Sequence, residues 1–230
     1  LLETYQAEPI ITPLLRFDAI PFQKGTMTEI SKMDWVFFTS ANTVHFFHQL
    51  TKANPVEIPK KIAAVGEKTA KALQEYGYRT DFVPTRYNGE TLVHEFYARY
   101  GKASIAYLCG EKARQEIPEL FHEYGIHFKK MVLYRTIKND AIEEELVKIV
   151  NNKKLDAILF TSPSTVEAFC EMIPDVILSD IKTKFLIAAI GTTTANTLYD
   201  LRFQHVIYPE KFTIEAMVQE LETHFLKKNR

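Results

Sequence analysis

The chain has 230 residues, 46% of them apolar, 12% aromatic and 25% charged, a globular composition that excludes a disordered, collagen-like or coiled-coil protein. Its 28 basic and 29 acidic residues leave a net charge of −1, without the basic excess that a nucleic-acid or anionic-membrane binder needs. The longest apolar run, 185–190, has six residues, against the ~18 needed to span a bilayer.

Short apolar strands alternate with amphipathic stretches along the chain. Strands are expected at 34–39, 61–65, 79–83, 103–108, 127–134, 155–160, 185–190 and 204–208. Helices are expected at 41–52, 67–76, 88–99, 112–124, 140–152, 164–172, 192–201 and 212–226. The strands are nearly continuous in hydrophobicity, which suits sheets covered on both faces. Gly77 and Gly125 follow helix-like segments as C-caps do. Such alternation predicts α/β architecture with parallel sheets. The two cysteines, Cys109 and Cys170, have no CxxC partner and read as small buried residues of a reducing compartment. The absence of a secretory signal pattern agrees, and a cytoplasmic protein is expected. Only eight glycines are present. None falls in a GxGxxG fingerprint, a Walker loop or a GxSxG elbow, so dinucleotide binding, P-loop chemistry and the usual hydrolase elbow are excluded.

An internal repeat organises the chain. DWVFFTSANTV (34–44) returns as DAILFTSPSTV (156–166), 122 positions on, and IAAVGEKTA (62–70) returns as IAAIGTTTA (187–195), 125 positions on. The same spacing of 125 pairs Pro84 with Pro209 and Glu90 with Glu215. A third correspondence, at 119, aligns Leu1–Tyr5 and 14–16 with 120–124 and 133–135. Two copies of one α/β unit are therefore expected, one discontinuous (1–17 with 137–230) and one inserted (23–133). The chain would cross between them near 17–22 and 132–137 as a two-stranded hinge. In the inserted copy, 102–119 supply a strand, a turn and half a helix ahead of Leu120, so about eighteen residues of the same kind are expected ahead of Leu1.

Each repeated block ends a buried strand in a small hydroxyl pair or a glycine and then starts a helix. Thr39-Ser40 and Thr161-Ser162 fit N-caps, with Asn42 and Ser164 in the following turn. Gly66 and Gly191 occupy the second kind of junction, with Lys68-Thr69 and Thr193-Thr194 beyond them. In open α/β sheets ligands bind outside the carboxyl ends of the strands. Free N–H groups at helix N-termini there suit carboxylates or phosphates. Four such ends facing a cleft would hold a large polyanion without many cations. Arg114, at the junction after 103–108, is a candidate partner for a substrate carboxylate. Tyr134, at the expected crossing, is a candidate proton or hydrogen-bond donor. His45 and His48 share a helix face but have no acidic or cysteine partner to complete a metal set. No nucleophile–base–orienter set is visible, so catalysis would rest on binding and positioning.

FTSANTV (38–44), IAAVGEKTA (62–70), P-x4-G-E (84–90), LCGEKAR (108–114), VLYRT (132–136), FTSPSTVEAF (160–169) and AAIGTTTA (188–195), in this order, resemble the uroporphyrinogen-III synthase family. The resemblance covers nearly the whole chain. It implies two similar doubly wound, flavodoxin-like α/β domains joined by a two-stranded hinge, working as a monomer without a cofactor. It implies a lyase that dehydrates the linear tetrapyrrole hydroxymethylbilane to an azafulvene and closes it through a spiro intermediate with the last ring inverted. The family's binding hydroxyls fall on Ser40, Thr69, Ser162, Thr193 and Thr194, and its hinge tyrosine on Tyr134. Thr192 stands where the family commonly has proline, and the family's opening strand with its Thr-Arg pair has no counterpart. The competing readings are a two-lobed, non-catalytic binding module and a twin-domain nucleotide-sugar transferase. The latter usually carries more glycine and acidic metal ligands.

Overall fold

The computed structural model describes residues 1–21, 25–53, 61–152 and 155–228. It divides into two compact units, one formed by Phe17–Ile137 and the other by Leu1–Arg16 with Lys138–Arg230. The chain thus passes between units twice. Phe22 and the expected domain start at 23 lie outside the described residues.

In the continuous unit the strands are β1 (Leu15–Ala19), β2 (Trp35–Phe38), β3 (Lys61–Ala64), β4 (Ser104–Gly110) and β5 (His127–Lys138), in sheet order β1-β5-β4-β2-β3. β5, β4, β2 and β3 run parallel, with Trp35 beside Ile105 on one side and Lys61 on the other. β1 meets β5 in the opposite sense, as Ile20 N–H donates to the Leu133 carbonyl while Asn139 N–H donates to the Leu14 carbonyl. The helices are α1 (Thr26–Ser31), α2 (Ala41–Ala53), α3 (Glu67–Glu75), α4 (Gly89–Tyr100) and α5 (Glu116–Glu123). All four residues of β2 are buried, and their alternation feeds both faces of the sheet. Val36 and Phe38 pack with Val44 and Phe47 of α2 and Leu73 of α3. Trp35 and Phe37 pack with Leu92 and Phe96 of α4 and Phe121 of α5. Phe37 and Phe96 meet edge to face at 4.9 Å. A ring buried this way contributes about 1.5–3 kcal/mol, which is why the central strand is aromatic.

In the discontinuous unit a 3-10 turn (Leu2–Tyr5) and a second (Asp140–Ile142) precede α6 (Glu143–Asn152), β6 (Ala157–Phe160), α7 (Pro163–Met172) and α8 (Asp175–Lys184). There follow β7 (Leu186–Ala189), α9 (Thr192–Asp200), β8 (Val206–Ile207) and α10 (Ile214–Lys228). The sheet is parallel, in order β6-β7-β8. One face is well filled, with Ile187 and Ala189 among Val166, Phe169, Ile181 and Leu198. The other is thin, and its cluster of buried residues among those described is Ala188, Met217 and Leu221. Among the described residues β6 pairs with β7 alone, whereas its repeat counterpart β2 is flanked on both sides. A groove of about 1030 Å³ runs along that open side, between Leu2–Leu14, β6 and α10.

The parallel α/β architecture matches the expectation from strand–helix alternation. Three elements differ. The stretch 79–83 forms a single bridge, Phe82 to Ala63, because the Asp81 carboxylate takes the Ile62 N–H that a ladder carbonyl would accept. The helix expected from 112 starts at Glu116, since Glu111 N–H is still tied to the Tyr134 carbonyl at the sheet end. The strand at 204–208 shrinks to two residues. α1 and α8 are additions. The glycine C-caps are present, with Gly77 at φ 81° and Gly125 at φ 61°, a conformation that suits glycine.

Candidate active site

The four strand–helix junctions fall into two kinds. Ser40 begins α2 and accepts the Thr43 N–H at 3.1 Å, while its hydroxyl lies 2.8 Å from the buried Thr43 hydroxyl. Ser162 begins α7 and accepts the Thr165 N–H at 3.3 Å, with the Ser164 hydroxyl at 3.1 Å. Both serines are therefore N-caps whose oxygens already take a first-turn donor. Asn42 is exposed in the first turn of α2. The expectation of four equivalent anion-holding ends narrows accordingly to two.

Those two are the N-termini of α3 and α9. Gly66 and Gly191 are their N-caps, and neither helix has a side-chain cap hydrogen bond. With no side-chain oxygen to cap them, the leading N–H groups and the positive end of the helix dipole are left for another acceptor, although at α3 the Thr69 N–H already donates to the Gly66 carbonyl at 3.1 Å. In the third helical position, Thr69 is 3% exposed and Thr194 is 2% exposed. Among the described residues neither hydroxyl has a hydrogen-bond partner. Lys68 and Thr193 are exposed beside them. The α3 end also carries Glu67, whose carboxylate holds the Tyr87 phenol proton and so raises that phenol's pKa. The first turn of α9 has no acidic residue.

Both glycines are extended, with φ −177° at Gly66 and 180° at Gly191, a conformation open to any residue. Glycine is required there by space instead. A Cβ on Gly66 would lie 2.8 Å from Cβ and Cγ of Tyr87, and one on Gly191 would lie 2.7 Å from Cγ and Cδ1 of Phe212. Tyr87 and Phe212 are themselves 125 positions apart. The sequence reading missed this pair, although the same spacing had aligned the prolines and glutamates on either side of it.

Tyr134 lies on β5 beside Gly110, where the register shifts. Its ring stacks on Phe46 at 4.9 Å and meets Phe17 edge-on at 5.4 Å. Its hydroxyl is 3.4 Å from that of Ser40, so the structure brings these two candidates together. Arg114 is exposed in the turn before α5 and makes no ion pair among the described residues. Of the remaining nucleophilic groups, Cys109 is buried and its thiol pKa is pushed up by burial, as is that of partly buried Cys170. His48 stacks on Tyr76 at 4.2 Å, and His45 Nδ1 lies 2.7 Å from the Tyr76 hydroxyl. Among the described residues no cluster of three metal-ligating side chains occurs, and no helix is long and apolar enough to cross a membrane. The large groove along β6 is lined mainly by aliphatic and aromatic side chains and lacks the convergent polar groups of a reaction centre.

A family model described as "Uroporphyrinogen-III synthase HemD" matches residues 1–219. The chain is 29% identical over 218 residues to the uroporphyrinogen-III synthase of Chlorobaculum parvum, covering 92% of this chain and 87% of that one. It is 28% identical over 225 residues to the porphyrin biosynthesis protein HemD of Ruminiclostridium josui, covering 94% of this chain but only 43% of that longer protein. In fold it is similar to the crystal structure of uroporphyrinogen-III synthetase from Helicobacter pylori, with a TM-score of 0.64 at 22% identity, over 92% of this chain and 91% of the other. With 219 of its residues matched in one continuous span, the chain belongs to the uroporphyrinogen-III synthase family.

Proposed function

We propose that this chain is a lyase acting in the cytoplasm as a monomer on hydroxymethylbilane, which it dehydrates and cyclises to uroporphyrinogen III. The observation that carries the reading beyond family membership is the pair of helix N-termini without a side-chain cap, each with a buried threonine whose hydroxyl has no partner among the described residues. The substrate bears eight carboxylates, and such ends take carboxylates by N–H donation and dipole rather than by cationic side chains. This reconciles a polyanionic substrate with a net charge of −1. Thr69, Thr193 and Thr194 extend the donor sets, Gly66 and Gly191 keep them open, and Lys68 and Arg114 add exposed charge. Ser40, Asn42, Ser162 and Ser164 line the capped ends and offer their remaining hydrogen-bonding capacity.

Loss of the substrate hydroxyl as water needs a proton, and the Tyr134 phenol, held between Phe46 and Phe17 next to Ser40, is assigned to donate it or a hydrogen bond. The ring closure that follows is intrinsic to the azafulvene. The protein's part is to hold the last ring so that its substituted α-carbon attacks, which is catalysis by positioning. Incubating the protein with freshly made hydroxymethylbilane and separating the product isomers tests this. Formation of the rearranged type III isomer is expected. Recovery of only the unrearranged isomer, at the spontaneous rate, identifies a binding module instead.

A further inference from the structure

We infer that Tyr87 and Phe212 are substrate-positioning residues, each presenting an aromatic face on which a pyrrole ring of the substrate stacks while that ring's carboxylate arm enters the helix end beside it. The inference rests on the tetrapyrrole reading above.

Four observations converge on these two rings. They are repeat equivalents, 125 positions apart. Each sits against the N-cap glycine of an uncapped helix, so close that any side chain on the glycine would collide with it. Both nonetheless remain 58% and 57% exposed, with one side against glycine backbone and much of the ring open to solvent. Finally, the flanking residues hold each loop in place. Asn88 caps α4 by accepting the Thr91 N–H at 2.7 Å, and Thr213 likewise accepts the Ala216 N–H at 3.2 Å.

An exposed aromatic ring in an ordinary surface loop contributes little to stability and is readily replaced. Here the ring has shaped its neighbour, since the extended glycine beneath it has no conformational reason to be glycine. The polar residues around the two rings differ, with Thr85, Arg86 and Asn88 in one loop and Glu210, Lys211 and Thr213 in the other. Ring and glycine recur together with the proline before them and the capping residue after them. Flat apolar surface, leading N–H groups without a side-chain cap and a threonine hydroxyl without a partner among the described residues therefore stand close together in both copies. That set is complementary to a flat heterocycle with short carboxylate arms, since aromatic faces pair with π-systems and helix N-termini with carboxylates. A phosphate or an isolated carboxylate would use the helix end and leave the ring idle.

The experiment compares Tyr87→Leu and Phe212→Leu with Tyr87→Phe and Phe212→Tyr. Leucine still covers the glycine but offers no π-face, and the conservative pair keeps one. Steady-state kinetics with hydroxymethylbilane is expected to show KM raised roughly 2- to 10-fold in each leucine variant, the range for a lost aromatic contact. kcat is expected to stay within about twofold, because stacking acts on bound substrate and transition state alike. The conservative variants should keep KM within about twofold of wild type. Thermal melts of all four check that the fold is retained. Leucine variants with wild-type KM overturn the inference, as does a loss equal in the leucine and the conservative variants. A wild-type chain that yields only the unrearranged isomer overturns the parent reading and this one with it, and is recognised before any variant is compared.

Discussion

The contact between the N-cap glycines and the rings above them can be tested by stability alone, without substrate. Gly191→Ala places a methyl group 2.7 Å from Cγ and Cδ1 of Phe212 and 3.2 Å from its Cβ. Because Gly191 is extended, alanine brings no backbone strain, and the cost is overpacking, about 1–3 kcal/mol. In a Phe212→Ala background the ring atoms are gone and the nearest remaining contact is Cβ at 3.2 Å. The cost of Gly191→Ala should then fall to that of alanine at an N-cap, roughly 1 kcal/mol or less. The other copy behaves differently. There the Tyr87 Cβ is itself 2.8 Å from the added methyl, so Tyr87→Ala leaves the clash of Gly66→Ala in place and only Tyr87→Gly removes it. Urea unfolding followed by circular dichroism gives the two double-mutant cycles. A coupling of roughly 1–2 kcal/mol is expected for Gly191 with Phe212→Ala, and little for Gly66 with Tyr87→Ala. An equal cost for Gly191→Ala in both backgrounds would show that the ring does not constrain the glycine, and would remove the support it gives to the stacking role.

Tyr134→Phe and Thr194→Ala should each lower kcat/KM about 5- to 150-fold, the loss of one hydrogen bond of roughly 1–3 kcal/mol, with melting temperatures retained; wild-type rates would remove these groups from the mechanism. The KM for hydroxymethylbilane should rise with ionic strength, since helix ends and exposed Lys68 and Arg114 hold charge through screened interactions; a constant KM counts against carboxylate capture at these ends. Asp34 accepts both the backbone N–H and the hydroxyl of Ser104, at 2.8 and 2.7 Å, and these bonds hold its carboxyl pKa below the usual value. A depressed folded-state pKa stabilises above the unfolded value and is lost as pH falls through the folded one, so Ser104→Ala should raise the Asp34 pKa by carboxyl NMR titration and shrink the acid-side fall in stability. Amide exchange should be faster at β6, which among the described residues has no partner strand on its outer side, than at β2, which is bonded on both sides; equal protection would mean that β6 has a second partner in solution.

Much of the architecture was legible because its cause is local and repeated. The runs WVFF, KIAA and LIAA announce buried strands, the offsets of 122 and 125 announce two copies, and the equally apolar AILF is fully buried only at Phe160. What stayed hidden depends on partners distant in sequence. Nothing in the segment 79–83 says that the Asp81 side chain will take the Ile62 N–H in place of a ladder carbonyl. α8 did carry a signal, Pro174-Asp175 followed by Leu178 and Ile181 at helical spacing, but it sits between two stronger apolar segments. The four junctions looked alike because serine and glycine both suit a helix start. Only the bonds Ser40 and Ser162 make show that their donors are already used. Tyr87 and Phe212 carry no periodicity, being single aromatics in loops, and only the repeat spacing could have linked them to Gly66 and Gly191.

The two kinds of junction explain why duplication kept both. A serine N-cap stabilises its helix by about 1 kcal/mol relative to alanine, and α2 and α7 use that device. The α3 and α9 starts cannot, because a serine there would need the Cβ that Tyr87 and Phe212 exclude. The rings therefore do more than supply a flat surface. By forbidding a side chain at the N-cap, they keep the leading N–H groups from being taken by a capping side chain, even though at α3 the Thr69 N–H turns back to the Gly66 carbonyl. Relaxing the ring would permit a cap, and a cap would occupy the donors, so an exposed ring and an open helix end are one device. It gives up local stability at two helix starts in exchange for donors fixed in direction before any ligand arrives, which is how a preorganised site departs from the most stable local choice.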